Sequence, residues 1–213
     1  DTSLSNIPSK FEPRYISLSA NGTICAIAHN YVYSADLTKN GFYVVDISGT
    51  TNLPQVFIPY PYMANIQNFY TQFIEYSLSL SETGKLLAVA YSLHTQNINQ
   101  PEIIQNNVIL YERTSTGFQY NQIWPNGPDI IDGTFVSLHP LGNKLLIVNN
   151  RDISNSLPIG STQLYDISGT NITNTHIFWG STYNSFNSPF YRNVSMNDSG
   201  TVVAIGEYTF GYE

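Results

Sequence analysis

The sequence predicts an all-β fold: a β-propeller segment of about three and a half four-stranded antiparallel blades, with a period near 60 residues. Three observations carry this. Four segments align, beginning YISLSANG at Tyr15, YSLSLSETG at Tyr76, FVSLHPLG at Phe135 and NVSMNDSG at Asn193. Their glycines, Gly22, Gly84, Gly142 and Gly200, are spaced 62, 58 and 58 residues apart. No stretch shows helical periodicity over ten or more residues, whereas alternation of the kind a strand requires recurs throughout.

Each aligned segment reads as a tight hairpin. In the first, Ile16 and Leu18 precede the turn, and Ile24, Ala26 and Ala28 follow it with a period of two. Glycine beside Asn, Asp, Ser or Thr supplies the positive φ of a two-residue hairpin turn. A third strand follows a longer gap, as GFYVVDISGT from Gly41, NVILYE from Asn107 and STQLYDISGT from Ser161. These runs are rich in β-branched and aromatic residues. The pentapeptide Asp46–Thr50 recurs identically as Asp166–Thr170, 120 residues on, which is two periods. Fourth strands come next, starting at Pro54, Phe118 and near Thr175.

The strands are expected near 14–19, 23–29, 42–47, 54–59, 74–80, 85–91, 107–112, 118–123, 134–139, 144–149, 162–167, 174–179, 191–196 and 201–208. Pro61, Pro101, Pro125 and Pro158 fall between them, where they cost no ladder bond. Residues 1–13 form an N-terminal extension, and blades cover about 14–70, 71–133, 134–190 and an incomplete 191–213. The first strand of each blade, lining the axis, is expected to be the most buried. The ring is expected to be unfinished, with another chain or further sequence closing it, because open strand edges invite pairing.

Composition narrows the function. Net charge is −7, and the eight Lys and Arg do not cluster. Nucleic acid needs a basic stripe to neutralise phosphates, so that partner is not expected. No apolar stretch approaches the roughly 20 residues of a membrane helix, so membrane insertion is not expected either. Cys25, the only cysteine, lies in an apolar run and reads as a buried, inert thiol. His29, His94, His139 and His176 have no zinc spacing and read as surface or loop histidines.

The segments from Tyr76 and Asn107 resemble the FG-GAP and related integrin-α-type propeller repeats, over nearly the whole chain. That resemblance implies a ligand-binding propeller. Integrin-type blades often carry an Asp-rich calcium loop between their first two strands. The matching positions here, Ser19–Gly22, Ser81–Gly84, His139–Gly142 and Asn197–Gly200, hold one acidic residue at most. Calcium wants several carboxylates, so no metal or cofactor is implied.

The reading is a non-catalytic module that binds a protein or a glycan, with an extracellular or virion-surface setting suggested by few Lys and many Asn. One alternative is a structural component of a virion or fibre. Another is a sialidase-like glycan-acting enzyme. The turns at Ser79 and Ser195 resemble sialidase turns, but they lack the tryptophan, and the chain has only four arginines. Strand direction places the short turns on one face and the long connections on the other. The long connections hold Tyr31, Tyr33, Tyr60, Tyr62, Tyr70, Trp124, Tyr183 and Phe186, the candidate binding residues. Aromatic anchors among Asn and Ser suit a protein or sugar partner.

Overall fold

A computed structural model describes residues 12–30, 41–49, 55–59, 70–96, 103–122, 135–149, 161–179 and 190–208, none of them helical. The first sheet contains β1 (Glu12–Leu18), β2 (Ile24–Asn30), β3 (Gly41–Asp46) and β4 (Gln55–Pro59). The second contains β5 (Tyr70–Leu80), β6 (Leu86–Gln96), β7 (Ile103–Arg113) and β8 (Tyr120–Gln122). The third contains β9 (Phe135–Leu138), β10 (Lys144–Asn149), β11 (Ser161–Ser168) and β12 (Asn171–Trp179). The fourth pairs β13 (Phe190–Met196) with β14 (Val203–Tyr208). Within each sheet the strands lie in chain order and every pairing is antiparallel.

The sheets stack in sequence, β1 and β2 against β5, β5 and β6 against β9, and β9 and β10 against β13. Alternation along each strand sends one set of side chains to each neighbouring sheet. Between the first and second sheets, Ile24, Ala26, Ala28 and Phe42 meet Leu78, Leu80, Leu87 and Ile109. Between the second and third, Ala88, Ala90 and Leu110 meet Val136, Leu138, Leu145 and Ile147. Rings join the first interface: Phe42 lies edge-on to Tyr111 at 5.2 Å, and Tyr111 edge-on to Tyr120 at 6.4 Å.

The first strands are not the most buried, contrary to expectation. Ile16 and Leu18 of β1 are 66% and 54% exposed, while Leu87–Ala90 of β6 and Leu145–Val148 of β10 are wholly enclosed. The second strand has a bonded neighbour on each edge and, in the middle sheets, a packed sheet on each face; the first strand is an edge. Cys25 is half-buried, on the face of the first sheet that no other described sheet covers, and partial desolvation raises its thiol pKa.

Some boundaries also move. β5, β6 and β7 are 11 residues each and continue through Gln, Asn, Ser and Thr that read as loop, because a backbone ladder does not require apolar side chains. β8 shortens to three residues. β12 begins at Asn171, directly after a two-residue Gly169–Thr170 turn in which Gly169 has φ 61°. The β1–β2 turn and its counterparts are longer than two residues. Five residues, 19–23, separate β1 from β2, and only the glycine takes a positive φ.

Two of those glycines press against the preceding sheet. A Cβ on Gly84 would lie 2.5 Å from Ile24 Cγ1, and one on Gly142 would lie 2.7 Å from Leu86 Cδ1. Gly22 has a similar φ of 69° but open space around it. The left-handed backbone alone costs a β-carbon about 1–2 kcal/mol, and overlap with a buried side chain adds about 1–3 kcal/mol. In dilute solution, urea denaturation of Gly84→Ala is therefore expected to show about twice the loss of Gly22→Ala. Equal losses would mean that the glycine seat plays no part.

Burial also raises the pKa values of Tyr111 and Tyr120, the latter to about 12. In the unfolded chain a tyrosine ionises near about 10. The folded state thus holds these protons more tightly, and the stability they confer is complete below about pH 10. Melting temperature is expected to fall as pH rises from about 10 through about 12, more steeply than in Tyr120→Phe.

Candidate functional site

The two ends of the stack differ. At one end lie the hairpin turns, each closed by the same backbone bonds. Gly22 N–H donates to Ser19 O at 2.8 Å, Gly84 to Ser81 at 2.9 Å, Gly142 to His139 at 2.7 Å and Gly200 to Asn197 at 2.9 Å. The first side chain of the turn then accepts the N–H two residues past the glycine. Ser19 Oγ takes Ile24 N–H at 2.9 Å, Ser81 Oγ takes Leu86 N–H at 3.0 Å and Asn197 Oδ1 takes Val202 N–H at 2.8 Å. Asn21 Oδ1 is engaged by Thr23 N–H at 3.1 Å and by the Ser19 and Thr23 hydroxyls. Ser19, Ser81 and Asn197, at calcium-loop positions, thus turn their side-chain oxygens onto the chain's own backbone. Among the described residues, no group of three or more His, Cys, Asp or Glu is placed to hold a metal.

Neighbouring turns are also joined. Asn21 N–H donates to Glu82 O at 3.2 Å, and Glu82 N–H donates to Pro140 O at 2.7 Å. The third turn cannot repeat the second of these bonds, since Pro140 stands where Glu82 supplies its N–H and proline has none, and Leu141, the counterpart of Asn21, gives its N–H to His139 instead. His139 takes over the contact: its Nε2 lies 2.8 Å from Asp198 O, while Nδ1 accepts Leu141 N–H at 3.2 Å. These partners assign the neutral tautomer with the proton on Nε2. His139 is therefore not a surface histidine; it is 2% exposed. Of the other histidines, His176 is exposed and meets the Phe178 ring edge-on at 4.5 Å, while His29 and His94 fall within β2 and β6. The signal for His139 was present in the sequence, as a His-Pro pair where the other turns have a small polar residue followed by an ordinary amide.

At the opposite end, the antiparallel pairings bring together the points where the chain leaves and re-enters the sheets. Asn30 opposes Glu12, Gly41 opposes Pro59, Gln96 opposes Tyr70 and Asn149 opposes Ser161. The second sheet, with the longest strands, carries Tyr70 at this end as the first residue of β5. Tyr31, Tyr33, Tyr60, Tyr62, Trp124, Tyr183 and Phe186 lie outside the described residues.

No protein-family model matches the chain, and no curated protein matches it. Among solved structures, the crystal structure of a protein from Lactobacillus plantarum, a structural-genomics target, is similar at 14% identity with a TM-score of 0.45. The match covers 78% of this chain and 41% of that one, so the chain spans about two fifths of that protein's length.

The exchange of donors at the third turn is open to test. His139→Ser removes the bond to Asp198 and leaves Pro140 unable to donate, at an expected cost of about 1–3 kcal/mol. His139→Ser combined with Pro140→Glu recreates the Ser81-Glu82 arrangement and should recover most of that loss in a double-mutant cycle. Additive losses would show that the two turns are not equivalent.

Proposed function

We propose that this chain is a β-propeller-type, non-catalytic binding module that presents the connections opposite its hairpin turns to a protein or glycan ligand. The observation that carries the reading is the division between the ends. At the hairpin-turn end Ser19, Ser81, His139 and Asn197 are engaged by the chain's own backbone, while the β2–β3, β6–β7 and β10–β11 connections and those between sheets all arise at the other end. Long connections on a rigid scaffold are common carriers of function. These ones bear Tyr31, Tyr33, Tyr60, Tyr62, Trp124, Tyr183 and Phe186, with Tyr70 at the start of β5. Aromatic rings supply large contact area at low entropic cost, and the surrounding Asn and Ser supply adaptable hydrogen bonds. An extracellular or particle-surface setting agrees with the polar, lysine-poor composition.

A second reading, a structural component of a larger assembly, is favoured by exposed apolar side chains at the two flanks of the stack, Ile16 and Leu18 on the first sheet and Val202 on the fourth. A glycan array probed with the wild-type chain separates the two: a reproducible glycan signal supports the binding module. Substituting Tyr33, Tyr62 and Tyr183 together by alanine should weaken that signal at least tenfold while leaving the melting temperature unchanged. Undiminished binding by the folded triple variant would remove this end as the site.

A further inference from the structure

Among the described residues, the contacts between successive sheets share a repeated set of parts: the glycine seat recurs at all three, and the rest of the set at the first two. The glycine of each following turn sits on the residue two places past the preceding glycine: Gly84 on Ile24, Gly142 on Leu86 and Gly200 on Lys144. The first strand of the following sheet lays a pair of apolar side chains over this row. Leu78 and Leu80 share a core with Ile24, Ala26 and Ala28, and Val136 and Leu138 share one with Ala88 and Ala90. A serine of the preceding first strand accepts the N–H of the second of each pair. Ser17 Oγ takes Leu80 N–H at 3.0 Å, and Ser79 Oγ takes Leu138 N–H at 2.8 Å.

Each half of this set is present once without its complement among the described residues. On the first sheet, Ile16 and Leu18 correspond to Leu78 and Leu80 but are 66% and 54% exposed. Gly22, which corresponds to Gly84, has no atom within 4 Å of the space its Cβ would fill. On the fourth sheet, Val202, Ala204 and Gly206 correspond to Ile24, Ala26 and Ala28. All three are exposed, Val202 to 60%, and so is Ser195, the counterpart of Ser17. Beside Ile16 and Leu18 on this face lie the half-buried Cys25, Ile27 and Tyr43, the last with its ring against Phe57 at 5.1 Å. Apolar surface of this extent is costly to leave in water.

We propose that the first sheet of one copy docks on the fourth sheet of a second copy, extending between molecules the seam that joins sheets within one. In this contact Gly22 seats on Val202 of the second copy, Ile16 and Leu18 cover Ala204 and Gly206, and Leu18 N–H donates to Ser195 Oγ. The contact is heterologous, head to tail, so two copies can engage each other through two such seats and close a ring. It lies on the flanks of the stack rather than at the end proposed to bind ligand, so the two proposals stand or fall separately.

Sedimentation velocity over a range of concentrations tests it, against a chain mass of 23.8 kDa. The wild type is expected to associate in a concentration-dependent way. Leu18→Asp and Val202→Asp should each remain monomeric, with circular dichroism like the wild type because both side chains are already exposed. Mixing the two variants should restore a two-copy species, since the pair retains one intact seat. A wild-type chain that stays monomeric to about 1 mM, where only contacts weaker than about −4 kcal/mol escape detection, overturns the proposal. So does association that survives Val202→Asp, or a mixture that fails to recover it.

Discussion

Two β-sheets can share bonds between their hairpin turns only if their backbones approach more closely than ordinary side chains permit. Here that approach depends on one atom being missing. The turn glycine of each following sheet rests against a side chain of the sheet before it, with no room for a β-carbon at Gly84 or Gly142. The same residue occupies the left-handed backbone region that lets the turn reverse, with φ between 65° and 75° at Gly22, Gly84, Gly142 and Gly200. One residue type thus meets a local and a tertiary requirement together. Once the turns are level, the Asn21–Glu82 and Glu82–Pro140 bonds can form. The serine bonds along the first strands follow, and the apolar rows of adjacent sheets fall into register.

This constraint separates the scaffold from the part free to vary. The turn end is occupied by its own bonds: Ser19, Ser81 and Asn197 cap backbone groups within their turns, and His139 reaches across to Asp198. The opposite end is where the chain leaves and re-enters the sheets. Connections there can lengthen at little further entropic cost, since closure entropy grows only logarithmically with loop length.

Identical sequence does not guarantee identical structure even within this repeat. Asp46–Thr50 and Asp166–Thr170 are the same pentapeptide. In the third sheet β11 runs through Ser168, and Gly169 opens a two-residue turn into β12. In the first sheet β3 ends at Asp46, whose carboxylate accepts the Ser48 hydroxyl and backbone N–H. Those bonds hold the Asp46 carboxyl below its ordinary pKa. The residue across the ladder differs, Ile24 opposite Asp46 and Lys144 opposite Asp166. Lys144 forms a 2.6 Å ion pair with Asp166, which draws that aspartate towards its neighbour strand.

Spacing and alternation in the sequence determined the hairpins, the turn glycines, the four sheets and their chain-order pairing, because those follow from contacts between residues near one another along the chain. Tertiary placement decided which of four similar apolar runs is enclosed. ICAIA alternates between buried and half-buried, LLAVA is buried after its first residue, and VVAIG is partly or fully exposed, according to whether a sheet covers each face. It also decided that His139 is a buried link rather than a surface group, because its partner Asp198 lies 59 residues away in the next sheet. Of the candidate binding residues, Tyr70 alone falls among the described residues, at the start of a β5 longer than its apolar pattern implied. Periodicity reports which side a residue faces; only the arrangement of sheets determines what stands on that side.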